Sequence, residues 1–198
     1  MVKYRVYPSL LDEFGRFLVG KVTKENLLNR INRIRDFDEE TFHRMQRGIR
    51  FEKAVLKDIR HDFKPQIINE VKSMLPKDFS SQFSVSFIYE DIQVYGFADV
   101  VGERRIIDLK TTANFRPEKY QNGFQNLYLY ALKDYGAETM EYIVYDFEKI
   151  HHLVYKIEEI DFQPYFDNML AFREFLNENR DEITDQKILV KPIEGLLF

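Results

Sequence analysis

The stretch "YGFADVVGERRIIDLKTT", residues 95–112, decides how the chain is read. Its flanks alternate like strands, yet Asp99, Asp108 and Lys110 stand where apolar residues would make a better sheet. Side chains alternate faces along a strand, so Asp108 and Lys110 share one face with Ile106 and Thr112. A four-residue hairpin loop over "GERR" would pair Val101 with Ile106, and two steps along the ladder Asp99 would fall opposite Asp108. Opposed residues on one face have Cβ atoms about 4.5–5.5 Å apart. Two carboxylates so close in a half-buried sheet repel each other and resist desolvation. A divalent cation held between them reverses that cost, since Mg²⁺ is bound by one or two carboxylates with water and phosphate. The bland reading, an Asp–Lys salt bridge on a solvated face, stays open at this point.

A third carboxylate lies upstream. Over residues 39–63 the positions Phe42, Met45, Ile49, Leu56, Ile59 and Phe63 form one apolar stripe, and Glu52 fills its single gap. At about 100° per residue Glu52 points near the centre of that stripe. An inward glutamate is uncommon unless paired or coordinating. Gly48, one turn earlier, would let another backbone or a ligand approach closely. Pairing of Glu52 with an arginine at the helix edge is the competing reading.

Outward from these positions, the first 75 residues read as helical, with Ser9 and Thr23 as N-caps. Three strands follow over 82–112, then a helix over 116–134 with Gly136 as its C′ residue. "EYIVYDFE" and "HHLVYKIEE" form a hairpin, a last helix spans 161–179, and an extended tail ends in "LLF". This order predicts an α/β (mixed α+β) fold, a central mixed sheet flanked by helices, in a single domain over 1–198. Gln121, Gln125 and Tyr128 cluster on one side of the 116–134 helix, a placement suited to phosphate or base contacts.

The chain has 198 residues, 44% hydrophobic and 31% charged, enough to bury a core without staples. It has no cysteine, which excludes disulfides, cysteine-ligated zinc and iron–sulfur clusters. "MVKYRVYPSLL" lacks the apolar core of a signal peptide, and no run approaches the roughly 18 apolar residues of a membrane span. A soluble cytoplasmic protein, with no membrane partner, is expected. The net charge of −4 argues against a nonspecific nucleic-acid binder. The arginines nevertheless gather in "RINRIR" and at Arg44, Arg47 and Arg50, as an electrostatic footprint or as solvated helix faces. His151 and His152 are neighbours on one strand, point to opposite faces and cannot share a metal.

Assembled, these residues resemble the PD-(D/E)XK nuclease superfamily, and within it the RecB-like exonuclease branch. Gly48 and Glu52 match the early helix, Gly96-Phe97-Ala98-Asp99 the G-x-x-D strand, and Asp108-Leu109-Lys110 the D-x-K strand. Gln125 meets part of the following Q-x-x-x-Y helix, where Leu129 replaces the tyrosine. Tyr128, about 60° from Gln125 on a helical wheel, is preferred to Tyr130. The resemblance runs from residue 8 to 160 and implies a restriction-endonuclease-like core that hydrolyses phosphodiester bonds with Mg²⁺ or Mn²⁺. It implies that Glu52, Asp99, Asp108 and the Leu109 carbonyl hold the metal, and that Lys110 orients the attacking water. Gln125, Tyr128, Gly48, Arg47 and Thr111 would contact the strand. The implied activity is that of a DNA exonuclease in phage or bacterial replication, recombination or repair. Other open readings are a catalytically silent nucleic-acid-binding module, and a subunit that needs a replication or recombination partner. RNA as substrate, single or double strands, and an oligomeric state also stay open. The "IEGLLF" end is loosely similar to peptides that dock on replication clamps, though packing on its own domain is the expectation.

Overall fold

A computed structural model describes residues 1–34, 38–59 and 61–190. Arg35 and the "IEGLLF" segment lie outside the described residues. Among the described residues, six strands and seven α-helices make a mixed α/β fold, with a mixed sheet flanked by helices. No helix among the described residues is long and apolar enough to cross a membrane. The chain forms two compact units, Met1–Arg35 with Ser86–Gly96 and Asp161–Phe198, and Asp36–Val85 with Phe97–Ile160.

In the first unit, β1 (Tyr4–Val6) pairs in parallel with the start of β3 (Ile92–Gly102), from Tyr4↔Ile92 to Val6↔Val94. β1 corrects the all-helical reading of the first 75 residues. Two helices follow, α1 (Pro8–Leu18) and α2 (Lys24–Ile31). Pro8 opens α1, because its fixed φ suits a first helical turn that needs no N–H donor. Ser9 is therefore inside the helix, and the cap position belongs to Tyr7. Thr23 does cap α2, accepting the Asn26 N–H at 3.2 Å. Phe14 packs on Phe172 and Phe175 of α7 (Gln163–Glu178), with ring centroids 4.8 and 5.7 Å away. Two of the "RINRIR" arginines are engaged within this unit. Arg33 donates to Asp185 at 2.5 Å and to the Tyr95 hydroxyl at 3.2 Å. Arg30 lies over the Tyr7 ring.

The second unit holds β4 (Arg105–Thr111), β5 (Thr139–Tyr145) and β6 (Ile150–Lys156). β3 and β4 are antiparallel, β4 and β5 parallel, and β5 and β6 antiparallel. β2 (Ser80–Tyr89) pairs with β3 on its own branch of the sheet. The predicted register holds at Val101↔Ile106, but Gly102 also pairs with Arg105. The loop is thus a two-residue turn over Glu103 and Arg104, whose φ of 49° and 66° fit a type I′ hairpin.

One sheet face carries α3 (Glu39–Lys57) and α4 (Pro65–Met74), over a core of Phe51, Ala54, Val55, Ile68, Val71, Val100, Ile107, Leu109 and Ile143. The other face packs Ala98, Ile106, Tyr120, Tyr128, Leu129, Met140 and Tyr142. Two predictions fail here. The 39–63 helix ends at Lys57, where Asp58 takes a left-handed conformation. Its buried residues are Phe51, Ala54 and Val55, while Phe42, Met45 and Ile49 are 51%, 43% and 40% exposed. The apolar period was real, but the sheet covers only the last turns of the helix, and it does so on a shifted face.

The single helix over 116–134 is also wrong. It breaks at Asn122-Gly123 into α5 (Pro117–Gln121), a 3-10 turn at Phe124–Asn126 and α6 (Leu127–Leu132). Fully buried Asn126 ties the pieces together. Its Nδ2 donates to the carbonyls of Tyr120 (3.2 Å) and Gln121 (2.9 Å), and its Oδ1 accepts from the Tyr142 hydroxyl (2.8 Å). Gly136 does close the segment, at φ 87° with its N–H on Lys133.

Candidate metal centre

The β3–β4 ladder ends at Val100↔Ile107, one step short of Asp99 and Asp108. Across that step simple alternation fails. Val100 joins the core beneath α3, while Ala98, two residues earlier, joins the opposite one. Asp99 therefore does not simply face Asp108. Its Oδ2 instead accepts the backbone N–H of Leu109 at 2.8 Å, so a side chain completes what the ladder leaves open.

Asp99 and Asp108 are 9% and 4% exposed. Burial, and then the Asp108 charge, raise the Asp99 carboxyl to about 7. Burial likewise pushes Glu52 above the usual range, with the Lys110 charge opposing it. Lys110 Nζ donates to Asp108 Oδ1 at 2.9 Å. It also lies 2.7 Å from Oδ2, but without hydrogen-bond geometry, so that buried oxygen has no hydrogen bond. Burial alone would lower the ammonium, but the charges of Asp108 and Asp99 override it, and Lys110 is raised. It is a donor at neutral pH.

Glu52 reaches the same place from α3. It is half-buried, at the edge of the covered face rather than at the centre of an apolar stripe. Gln82 of β2 links it to Asp99. The amide Nε2 donates to Glu52 Oε1 at 2.8 Å and to Asp99 Oδ1 at 3.1 Å. Those two oxygens are thus at most about 6 Å apart. Gln82 was missed in the sequence, because nothing in its spacing marks it; only the carboxylates it touches do.

Among the described residues no three carboxylates or imidazoles stand close enough to enclose a cation. Two nitrogen groups stand among these acids. The Gln82 amide lies between Glu52 and Asp99, and the Lys110 ammonium covers Asp108. The oxygen donors nevertheless suit Mg²⁺ or Mn²⁺. Hard cations take carboxylate and carbonyl oxygens at about 2.0–2.1 Å for Mg²⁺, and Asp108 Oδ2 is a buried oxygen without a hydrogen bond. Replacing the amide nitrogen by a cation asks each oxygen to move inward by about 1 Å or less.

The remaining sequence candidates divide. Tyr128 is 7% exposed. Burial, then the Asp108 charge, raise its phenol, which also shares a hydrogen bond with the Phe97 backbone. Tyr130 instead lies beneath the Lys133 ammonium, 4.0 Å from the ring centroid. Tyr120 is a further phenol near these charges, and no sequence pattern marks it. Its phenol is raised by burial and feels both Lys110 and Asp108. Gln125 falls in the 3-10 turn, so the α-helical wheel that grouped it with Gln121 and Tyr128 does not apply. Its Oε1 lies against Gly123, 3.3 Å from where a Cβ would stand. Gln121 is exposed on the far side of the break.

A Cβ on Gly48 would meet only Thr111 Oγ1, at 3.7 Å, an ordinary contact. Protein packing therefore does not require that glycine. Arg47 lies over the Phe147 ring at 4.9 Å, and Arg44 donates to Thr41 Oγ1 at 2.7 Å. His151 and His152 bind separate carboxylates, Asp146 at 2.6 Å and Glu141 at 2.7 Å. Burial alone would raise Glu141, but hydrogen bonds from Arg105, His152 and Thr139 hold it below its usual range. That cluster is internally satisfied.

Solved structures similar to this chain include two that cover most of it. One, of SSO0001, is 17% identical, with 86% of this chain and 85% of that one covered and a TM-score of 0.43. The other is a "Putative exonuclease" from Eubacterium rectale, 12% identical, covering 96% and 91%, with a TM-score of 0.45. No family model matches the chain, and no curated protein does. At these scores the functional reading stands on the geometry of the site.

Proposed function

We propose that the protein is a metal-dependent nuclease of PD-(D/E)XK type that hydrolyses phosphodiester bonds of DNA, as an exonuclease in phage or bacterial replication, recombination or repair. One observation carries this reading. Residues 52, 99, 108 and 110, from a helix and two strands, bring three acids and an ammonium within electrostatic reach of one another, with one buried carboxylate oxygen lacking a hydrogen bond. A pure scaffold gains nothing from that concentration of buried charge.

Glu52, Asp99, Asp108 and the Leu109 carbonyl would hold Mg²⁺ or Mn²⁺. When bound, the metal supplies polarisation of the phosphate and stabilisation of the leaving oxygen. Asp99, tied to the Leu109 N–H, fixes β3 against β4 at the donor set. Lys110 keeps its proton, orients the attacking water and offsets charge growing on the phosphate oxygens. Tyr128, a neutral phenol beside Asp108, donates to the strand, and Thr111 and Gly48 leave room for its backbone. The setting is cytoplasmic, and a replication or recombination partner or self-assembly supplies the basic surface that the net charge of −4 does not.

The test is incubation with linear and circular, single- and double-stranded DNA, with Mg²⁺, Mn²⁺ or EDTA, beside Lys110→Ala. Cleavage that needs metal and is lost in the variant supports the reading, and preference for linear DNA supports exonuclease action. The Gln82 amide favours a second reading, because it satisfies Glu52 and Asp99 without a cation. A catalytically silent DNA-binding module would keep its affinity in EDTA and cut nothing.

A further inference from the structure

We propose that Gln82 is a displaceable clasp: its amide nitrogen holds Glu52 and Asp99 in the cation's place and must leave for the cation to bind. The inference rests on the metal-nuclease reading above and adds a residue to it.

Gln82 has φ 51°, left-handed for a non-glycine residue, near the start of strand β2. Such a residue interrupts regular pleating and re-aims its side chain, as bulges do beside functional sites. The re-aimed amide donates to two acids from different elements, α3 and β3. A carboxamide nitrogen has two N–H donors and no lone pair to offer, so it binds carboxylates and repels a cation. The same point cannot hold both. Gln82 is exposed, so the amide can swing into water, while Asp99 stays anchored through Oδ2 to Leu109.

The alternative role, ligation through Oε1, predicts the opposite sign. Removing a competitor tightens metal binding, and removing a ligand weakens it. The clasp also explains how acids that share a metal site stay paired without metal. The neutral amide bridges Glu52 and Asp99 as the ammonium of Lys110 covers Asp108.

The experiment measures Mn²⁺ affinity without nucleic acid, by calorimetry and by the electron paramagnetic resonance signal of free Mn²⁺. It compares the wild type with Gln82→Met, which keeps length and removes the donors, and with Gln82→Ala should the methionine variant fail to fold. Asp108→Asn is the control for binding at this site. The expected result is about five-fold tighter Mn²⁺ binding in the Gln82 variants, the scale of two modest hydrogen bonds lost on displacement. Equal affinity overturns the clasp, and weaker binding overturns it in favour of ligation. No Mn²⁺ binding by the wild type overturns the metal centre itself, and the clasp with it.

Discussion

Asp99 accepts the backbone N–H of Leu109 at 2.8 Å, so one strand's carboxylate takes a donor of its neighbour where the ladder has ended. That bond lowers the cost of burying Asp99 without cancelling it, for burial and Asp108 still raise the carboxyl to about 7 from an ordinary 3.8. Between those values the folded protein keeps a proton that the unfolded chain has released. The stability from this group is thus full below about 4 and is lost as pH rises through 7. Asp99→Asn should match the wild type near pH 4 and exceed it by about 1–2 kcal/mol at pH 8, while losing metal binding. Denaturant melts across that range, without metal, read the difference.

Metal should remove that penalty. Saturating Mg²⁺ at a hundred times its dissociation constant stabilises a folded protein by about 2.7 kcal/mol. Thermal melts at pH 8 should rise with Mg²⁺ in the wild type and stay flat in Asp108→Asn. EDTA should remove the gain and leave the protein folded, since the hydrophobic cores on both faces of the sheet are complete without a cation.

Gly48 gives a prediction in which stability and activity part. A methyl group there meets only Thr111 Oγ1 at 3.7 Å, and a helix-interior glycine costs about 0.5–1 kcal/mol relative to alanine. Gly48→Ala should therefore raise stability by about that amount. Cleavage should fall by about ten-fold or more if a nucleic-acid backbone uses the space, a loss read from rates at saturating metal.

Asn126 should behave in the opposite manner, as a structural residue. Asn126→Leu leaves the Tyr142 hydroxyl and two carbonyls without this partner in a fully buried place. A loss of about 2–4 kcal/mol is expected in chemical denaturation. Mn²⁺ affinity per folded molecule should hold.

Much of this arrangement was legible in the chain because strands declare themselves by alternation. Val101 against Ile106 and the β5–β6 hairpin follow from period two and turn positions. Tyr4–Val6 was not legible, since three residues carry no period. The helix break has a signal in the Asn122-Gly123 dipeptide, but apolar spacing continues on both sides of it and reads as one helix. The α3 stripe misled for a different reason: a period reports which residues could be buried, and only the rest of the fold decides which are. The candidate acids stood out by being charged among apolar neighbours. Gln82 did not, because a glutamine near a strand end is ordinary until its partners are seen.

Helix α3 is unevenly rooted. Its final turns are gripped through Phe51, Ala54 and Val55, while the turns from Glu39 to Arg50 bury no side chain and are held by the Asp38 cap at Thr41 and by surface contacts such as Arg47 over Phe147. Amide protons in those earlier turns should exchange with solvent well ahead of those around Phe51. Glu52 sits at the rooted end. The helix can thus behave like a reed, its tip yielding first while the acid at its base keeps its place.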